Sequence, residues 1–336
     1  MIKADLRELP FGVEIEFTGM TRERAAQICA ACFESEVEQS GGNYSVKDEQ
    51  NRAWKFVFDS SIRGSRPGRD YKVELVTPIC HYEDIPLIQE LVRRLRTDGK
   101  MKVNDSCGIH IHVDGSRFDA RTLRNLVNLV ANKEDMIYRA LTVADGRAYS
   151  YCQKTDPHFL AELNQKKPKT LTELKKIWYQ DDWERHGHYH NSRYRCLNLH
   201  SFFEKGTVEF RVFNSTTHAG ELKTAIQFVL AITAQALSQK STQLKPTQSD
   251  NEKYTFRTWL LRLGMIGDEF KTARQHLLKN LEGNIAWRDP AQAEAQKARL
   301  AAKRLEEQQA ALPESEPAAP SDEQEQDTPA FTMSMG

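Results

Sequence analysis

The sequence predicts an α+β fold, and two kinds of pattern predict it. Short stretches at 11–17, 53–58, 71–77, 108–114, 195–203 and 206–213 alternate apolar and polar residues or are rich in β-branched and aromatic ones, as half-buried strands are. Between and after them lie amphipathic stretches of helical period with capping residues at their starts. A chain of 336 residues holds ample material for a core, as one large domain or two ordinary ones.

The helices follow in order. Thr21 is placed to cap a helix over 22–37. Asp84 precedes IPLIQELVRRLRTDG, with Pro86 in the first turn and Gly99 just past the end. Asp119 precedes ARTLRNLVNLVANKEDMIYRA, read as one helix with Leu123, Leu126, Val127 and Val130 on a single stripe. A further helix runs from about 220 to 239, with Leu222, Ala225, Ile226, Val229 and Leu230 on its buried side, and two more are expected at 255–263 and 267–281. The segment 145–192, with DGRAYSYCQ and QDDWERHGHYHNS, is the candidate for a loop able to close over a site. Its His186, His188 and His190 alternate, which suits a substrate-contacting loop better than a zinc site. One catalytic domain is therefore expected over 1–285, with a motif-bearing part at 8–240 and a helical part at 250–285. A charged stretch at 286–311 reads as an exposed helix, and 312–336 as a disordered acidic, proline-rich tail, a candidate docking segment for a protein partner.

Bulk composition narrows the function. With 47 basic and 47 acidic residues the net charge is zero, which gives no reason to expect nucleic acid or an anionic membrane as partner. No apolar run approaches a membrane span, and the first residues lack the apolar block of a secretory signal, so a cytoplasmic location is expected. The six cysteines are then expected to be reduced, and Cys29 and Cys32, a C-x-x-C without a second pair, read as ordinary thiols on a helix.

The strands share one design. Glu14 and Glu16 leave the same face of GVEIEF; Glu74 and Lys72 share a face of YKVELVTP; His110, His112 and Asp114 share one in GIHIHVD; Glu209 and Arg211 share one in TVEFRVF; Lys55 and Asp59 share one in AWKFVFD. A sheet with one solvated face accounts for any single pair. Together, four glutamates and two histidines side by side repel and call for a counter-charge. Carboxylates with imidazole suit Mg²⁺ or Mn²⁺ better than zinc. Arg211 and Lys55 then suit phosphate oxygens, and the absence of a G-x-x-x-x-G-K stretch points to nucleotide chemistry on a sheet rather than at a P-loop.

The ordered set FGVEIEF, DSSI, VELVTP, CGIHIHVD, RYRCLNLHSF and GTVEFRVFN, within about 8–240, resembles the amidoligase family, related to glutamine synthetase and glutamate–cysteine ligase. The resemblance implies a curved, mostly antiparallel sheet lining a funnel with helices packed outside. It implies ATP, two or three Mg²⁺ or Mn²⁺ ions, a carboxylate substrate phosphorylated to an acyl phosphate, and an amine donor that displaces the phosphate to form an amide. By resemblance, Glu14, His110 and Glu209 hold the ion that carries the ATP phosphates, Glu16 and Glu74 hold the ion nearer the acceptor carboxylate, and Arg211 meets the transferred phosphoryl group. His112 falls near substrate; Arg193 and Asn198, and more weakly Lys55, are nucleotide or substrate contacts. A metal-dependent hydrolase, a phosphagen-kinase-like phosphotransferase and a retired ligase that binds nucleotide or a partner are the rival readings.

Overall fold

The computed structural model describes residues 4–180, 190–287 and 289–310. The chain divides into two compact units, Met1–Pro290 and Ala291–Gly336. The first holds one eight-stranded sheet in the order β2-β3-β4-β5-β1-β6-β8-β7, antiparallel at every pairing. The strands are β1 (Phe11–Phe17), β2 (Val37–Ser40), β3 (Asn43–Lys47), β4 (Ala53–Val57), β5 (Val73–Val76), β6 (Gly108–Asp114), β7 (Leu197–Asn198) and β8 (Thr207–Asn214).

Period-2 alternation sets which face each strand buries. Phe11, Val13, Ile15 and Phe17 of β1 join Val73 and Leu75 of β5 and Ile109, Ile111 and Val113 of β6 in one apolar layer. Against that layer and its neighbours pack α1 (Arg22–Phe33), α2 (Ile85–Thr97), α3 (Ala120–Ala131) and α9 (Ala219–Ser238). The sequence marks only one buried side on α9. The structure buries nearly every position from Leu222 to Ala236, because α2, α3 and α11 (Lys271–Leu278) surround it.

Several expectations change. A β2–β3 hairpin is added at the sheet edge, its turn made by Gly41 and Gly42, both at positive φ. The helix expected over 22–37 stops at Phe33, where Glu34 turns left-handed. The single helix expected after Asp119 breaks at Asn132 and resumes as α4 (Glu134–Leu141), since the Asn132 amide is taken by the backbone of Gln243 and Lys245. The strand expected at 195–203 shrinks to β7 and is followed by α8 (His200–Lys205). Asn198 Oδ1 accepts the backbone N–H groups of His200, at 2.9 Å, and Ser201, and this turns the chain into the helix.

The stretch read as a closing loop is largely helical. It carries α5 (Asp145–Ser150), α6 (Pro157–Lys166) and α7 (Leu171–Tyr179), the last two capped by Asp156 and Thr170. Neither cap is among the helix starts read from the sequence. His186 and His188 lie outside the described residues, as does the acidic tail. After α10 (Glu252–Arg262) and α11, the second unit's described residues are the helix α12 (Pro290–Ala310). No described helix is long and apolar enough to cross a membrane.

Candidate active site

Strand β1 lies mid-sheet, so both of its edges are paired, and pairing aligns its two glutamates with partners. Glu14 stands opposite His110 of β6, and Glu16 opposite Glu74 of β5. On the far side of β6, His112 stands opposite Glu209 of β8. The β6–β8 ladder carries a bulge: Ile109 pairs with Phe213 and Ile111 with Phe210, leaving Arg211 and Val212 opposite His110 alone. The extra residue keeps both phenylalanines in the core while Arg211 stays on the polar face beside Glu209.

That face is not solvated. Glu16, His110 and Glu209 are each only 3 % exposed, and Arg211 is also buried. His110 occupies the centre. Its Nδ1 is 3.0 Å from Glu14 Oε2 and 3.8 Å from Glu209 Oε1, while its Nε2 is 3.7 Å from Glu16 Oε1. Donor atoms of Glu14, His110 and Glu209, and separately of Glu16, Glu74 and His110, converge within 4.8 Å of one another. The Nε2 atom of His110 is buried without a hydrogen bond. Oxygen-rich donors plus a buried imidazole nitrogen lacking a hydrogen bond are the chemistry a pair of hard divalent cations would satisfy, so the residues fit the ions the resemblance implies.

The charge pattern agrees. Burial alone would raise the Glu14 carboxyl, but hydrogen bonds from His110 and His112 outweigh it and hold it well below the usual range. Burial likewise opposes ionisation of Glu209, yet Arg211, His112 and His110 bring it down to about 2. Glu16 is raised by burial, only partly offset by His110 and Arg147. Glu74 is pushed up to about 9 by burial and by the neighbouring Glu14, Glu16 and Asp59. Without cations, one half of the site is therefore ionised and the other resists ionisation.

Around these carboxylates lies a cavity of about 410 Å³, lined among others by Phe58, Asp59, Ser60, Ser61, Arg147, Tyr151, Arg193 and Arg211. Arg211 Nη1 donates to Glu209 Oε1 at 2.5 Å, and its Nε to the Tyr151 carbonyl at 3.2 Å. Asn198, expected as a nucleotide or substrate contact, instead donates to Glu209 Oε2 at 2.6 Å and is buried behind it. His112 sits between Glu14, 3.2 Å away, and Thr207, 3.0 Å away, and is not among the residues that line the cavity. Lys55 is on the polar face but in register with Val76, two strands from Glu14. That separation is about 10 Å, and Lys55 does not line the cavity.

Sequence reasoning missed Arg147. It comes from α5, in the segment read as a loop, and is 1 % exposed. Its Nη1 is 3.8 Å from Glu16 Oε2, its Nη2 donates to the Arg211 carbonyl, and its Nε has no hydrogen bond. Gly108 makes room for it: a Cβ there would lie 2.2 Å from Nη2. The Gly108 N–H also donates to Glu16 Oε2 at 2.6 Å. A glycine opening a strand, next to carboxylates, was the one legible sign of this close approach.

The mixed fold carries this buried array of carboxylates, imidazoles and guanidinium groups on one face of its sheet, and the family that matches the chain supports an enzyme of ligase type. Residues 7–233 match the family described as "Putative amidoligase enzyme", and the chain belongs to that family. No curated protein matches it.

Proposed function

We propose that the protein is an ATP-dependent carboxylate–amine ligase that forms an amide bond through an acyl phosphate. The observation that carries this reading is the pair of ligand clusters sharing His110, with Arg211 and Arg147 beside them. Two Mg²⁺ or Mn²⁺ ions bound there would screen the triphosphate and polarise the acceptor carboxylate.

The chain's own groups divide the remaining work. The acceptor carboxylate oxygen attacks the γ-phosphorus and ADP leaves; the amine nitrogen then attacks the acyl carbon and phosphate leaves, the amine losing its proton. Arg211, on the cavity wall, would meet the equatorial oxygens of the moving phosphoryl group. Arg193, on the cavity wall, is a nucleotide or substrate contact. Asn198 keeps the Glu209 carboxylate in place, and His112 does the same for Glu14. The six free cysteines suit a reducing, cytoplasmic setting.

The test is ADP release with Mg²⁺ or Mn²⁺ against pooled carboxylates and amines, wild type beside Glu14→Ala, with mass spectrometry of products. Substrate-stimulated ADP release, lost in the variant and matched by a product one water lighter than its parts, is expected. Turnover of an amide without ATP would replace the ligase by a hydrolase. Nucleotide binding with no turnover on any pool would make it a retired ligase.

A further inference from the structure

The loop joining β4 to β5 is held rigidly at the edge of the cavity. Ile62 is buried beneath it. The Arg63 N–H donates to Ser106 Oγ at 2.8 Å, the Ser65 N–H to Thr18 Oγ1 at 2.7 Å, and Arg22 Nη1 to the Arg69 carbonyl at 2.5 Å. Its first residues, Asp59, Ser60 and Ser61, line the cavity beside Glu74 and Glu16. Its outer residues are cationic: Arg63, Arg66 and Arg69 are exposed, and Lys72 half-buried. Arg63 pairs with Asp105, and Asp70 is taken by Arg22 at 3.2 Å. Arg66 leans on Tyr71, its Nη1 3.1 Å from the hydroxyl, and Arg69 lies 4.1 Å over the ring of Phe58, itself on the cavity wall. Neither Arg66 nor Arg69 has a carboxylate partner among the described residues.

We propose that this loop is a docking surface for an acidic peptide segment, and that the acceptor carboxylate is presented on such a segment rather than on a free amino acid. The choice of acceptor rests on the ligase reading. The loop borders the Glu16–Glu74 end of the site, the end assigned to the acceptor carboxylate. Two unpaired guanidinium groups on a rigid rim attract several carboxylates at once and cost little ordering entropy on binding. An extended glutamate-rich chain would place one side chain at Glu74 and its neighbours along Arg69 and Arg66.

The test is fluorescence anisotropy of labelled octaglutamate on the full-length protein loaded with Mg²⁺ and without ATP, so that docking is read apart from catalysis. Wild type is expected to bind it, more weakly as salt rises, and a lysine-rich peptide not at all. Arg66→Glu/Arg69→Glu is expected to weaken binding about tenfold or more, with Arg66→Gln/Arg69→Gln between, each variant keeping wild-type melting behaviour. Binding that the charge reversal leaves unchanged, or no binding by wild type, overturns the proposal even if ATP turnover on free amino acids stands. Tighter binding of a single-stranded oligonucleotide than of octaglutamate also overturns it, in favour of a nucleic-acid surface. Loop-dependent peptide binding with no peptide-stimulated ADP release once ATP and pooled amines are added would overturn the claim that the acceptor carboxylate is presented on such a segment.

Discussion

Glu14 Oε2 lies 3.0 Å from His110 Nδ1, directly across the β1–β6 pairing, while the opposite nitrogen of the same ring faces Glu16 at 3.7 Å. One imidazole thus stands between two carboxylate clusters. Removing it should cost both, whereas removing an outer carboxylate should cost one.

That gives the first prediction. His110→Ala should abolish both Mn²⁺ sites in a titration followed by calorimetry or electron paramagnetic resonance. Glu209→Gln and Glu74→Gln should each remove one. Asn198→Ala, which frees Glu209 without replacing a ligand, should weaken a single site by about tenfold or more. Loss of both sites in Glu74→Gln would contradict the two-cluster arrangement.

Glu74 makes the ion-free protein sensitive to pH. Its folded pKa, about 9, lies above the unfolded value of about 4.3, so its contribution to stability is whole below that unfolded value and is lost as pH rises through about 9. The metal-free melting temperature should therefore fall between pH 5 and 9 (a range of roughly these limits). Glu74→Gln should flatten that slope, and Mg²⁺ should raise the melting temperature more at the alkaline end. An ion-free slope identical in Glu74→Gln would remove Glu74 as its source.

Arg52 ties three elements together away from the site. It bonds Asp48 at 2.8 Å and Asp84 at 2.8 and 2.9 Å, and Asp48 also accepts the Trp54 indole N–H. Arg52→Ala should destabilise the fold by about 3 kcal/mol in urea titration, because it strands two largely buried carboxylates. Burial opposes ionisation of both aspartates, yet their hydrogen bonds outweigh it and lower them. Their contribution is accordingly present above about 3.9 and lost as pH falls below it. The variant should lose that acid sensitivity.

Gly108→Ala tests the packing of Arg147. The added methyl would meet the guanidinium at 2.2 Å and force it off Glu16. A cost of about 1–3 kcal/mol in stability and a larger loss of turnover are expected. Arg147→Lys should keep part of the activity and Arg147→Ala none, with ion stoichiometry intact. Full turnover in Gly108→Ala would mean that Arg147 is not needed there.

Much of the site was readable because a strand's side-chain period is two. Glu14 with Glu16, His110 with His112, and Glu209 with Arg211 had to share faces whatever the topology. The family resemblance assigned them roles, and the family match spans the stretch that holds them, residues 7–233. The helix caps at Thr21 and Asp119 were equally local signals. Where local pattern and tertiary demand parted, pattern lost: LNLHSFF alternates like a strand, yet the Asn198 side chain bends it into α8.

By itself, then, the sequence determined the strand faces, the starts of the helices and the identity of the carboxylates and imidazoles. Only the tertiary structure decided which of them meet. Strand order put β1 between β5 and β6, so Glu16 met Glu74 and Glu14 met His110. The β8 bulge set Arg211, and the docking of α5 brought in Arg147. The same pairing left Lys55 two strands out of reach. The physical reason is that periodicity is a property of one segment, whereas register, bulges and close backbone approach depend on segments far apart in the chain.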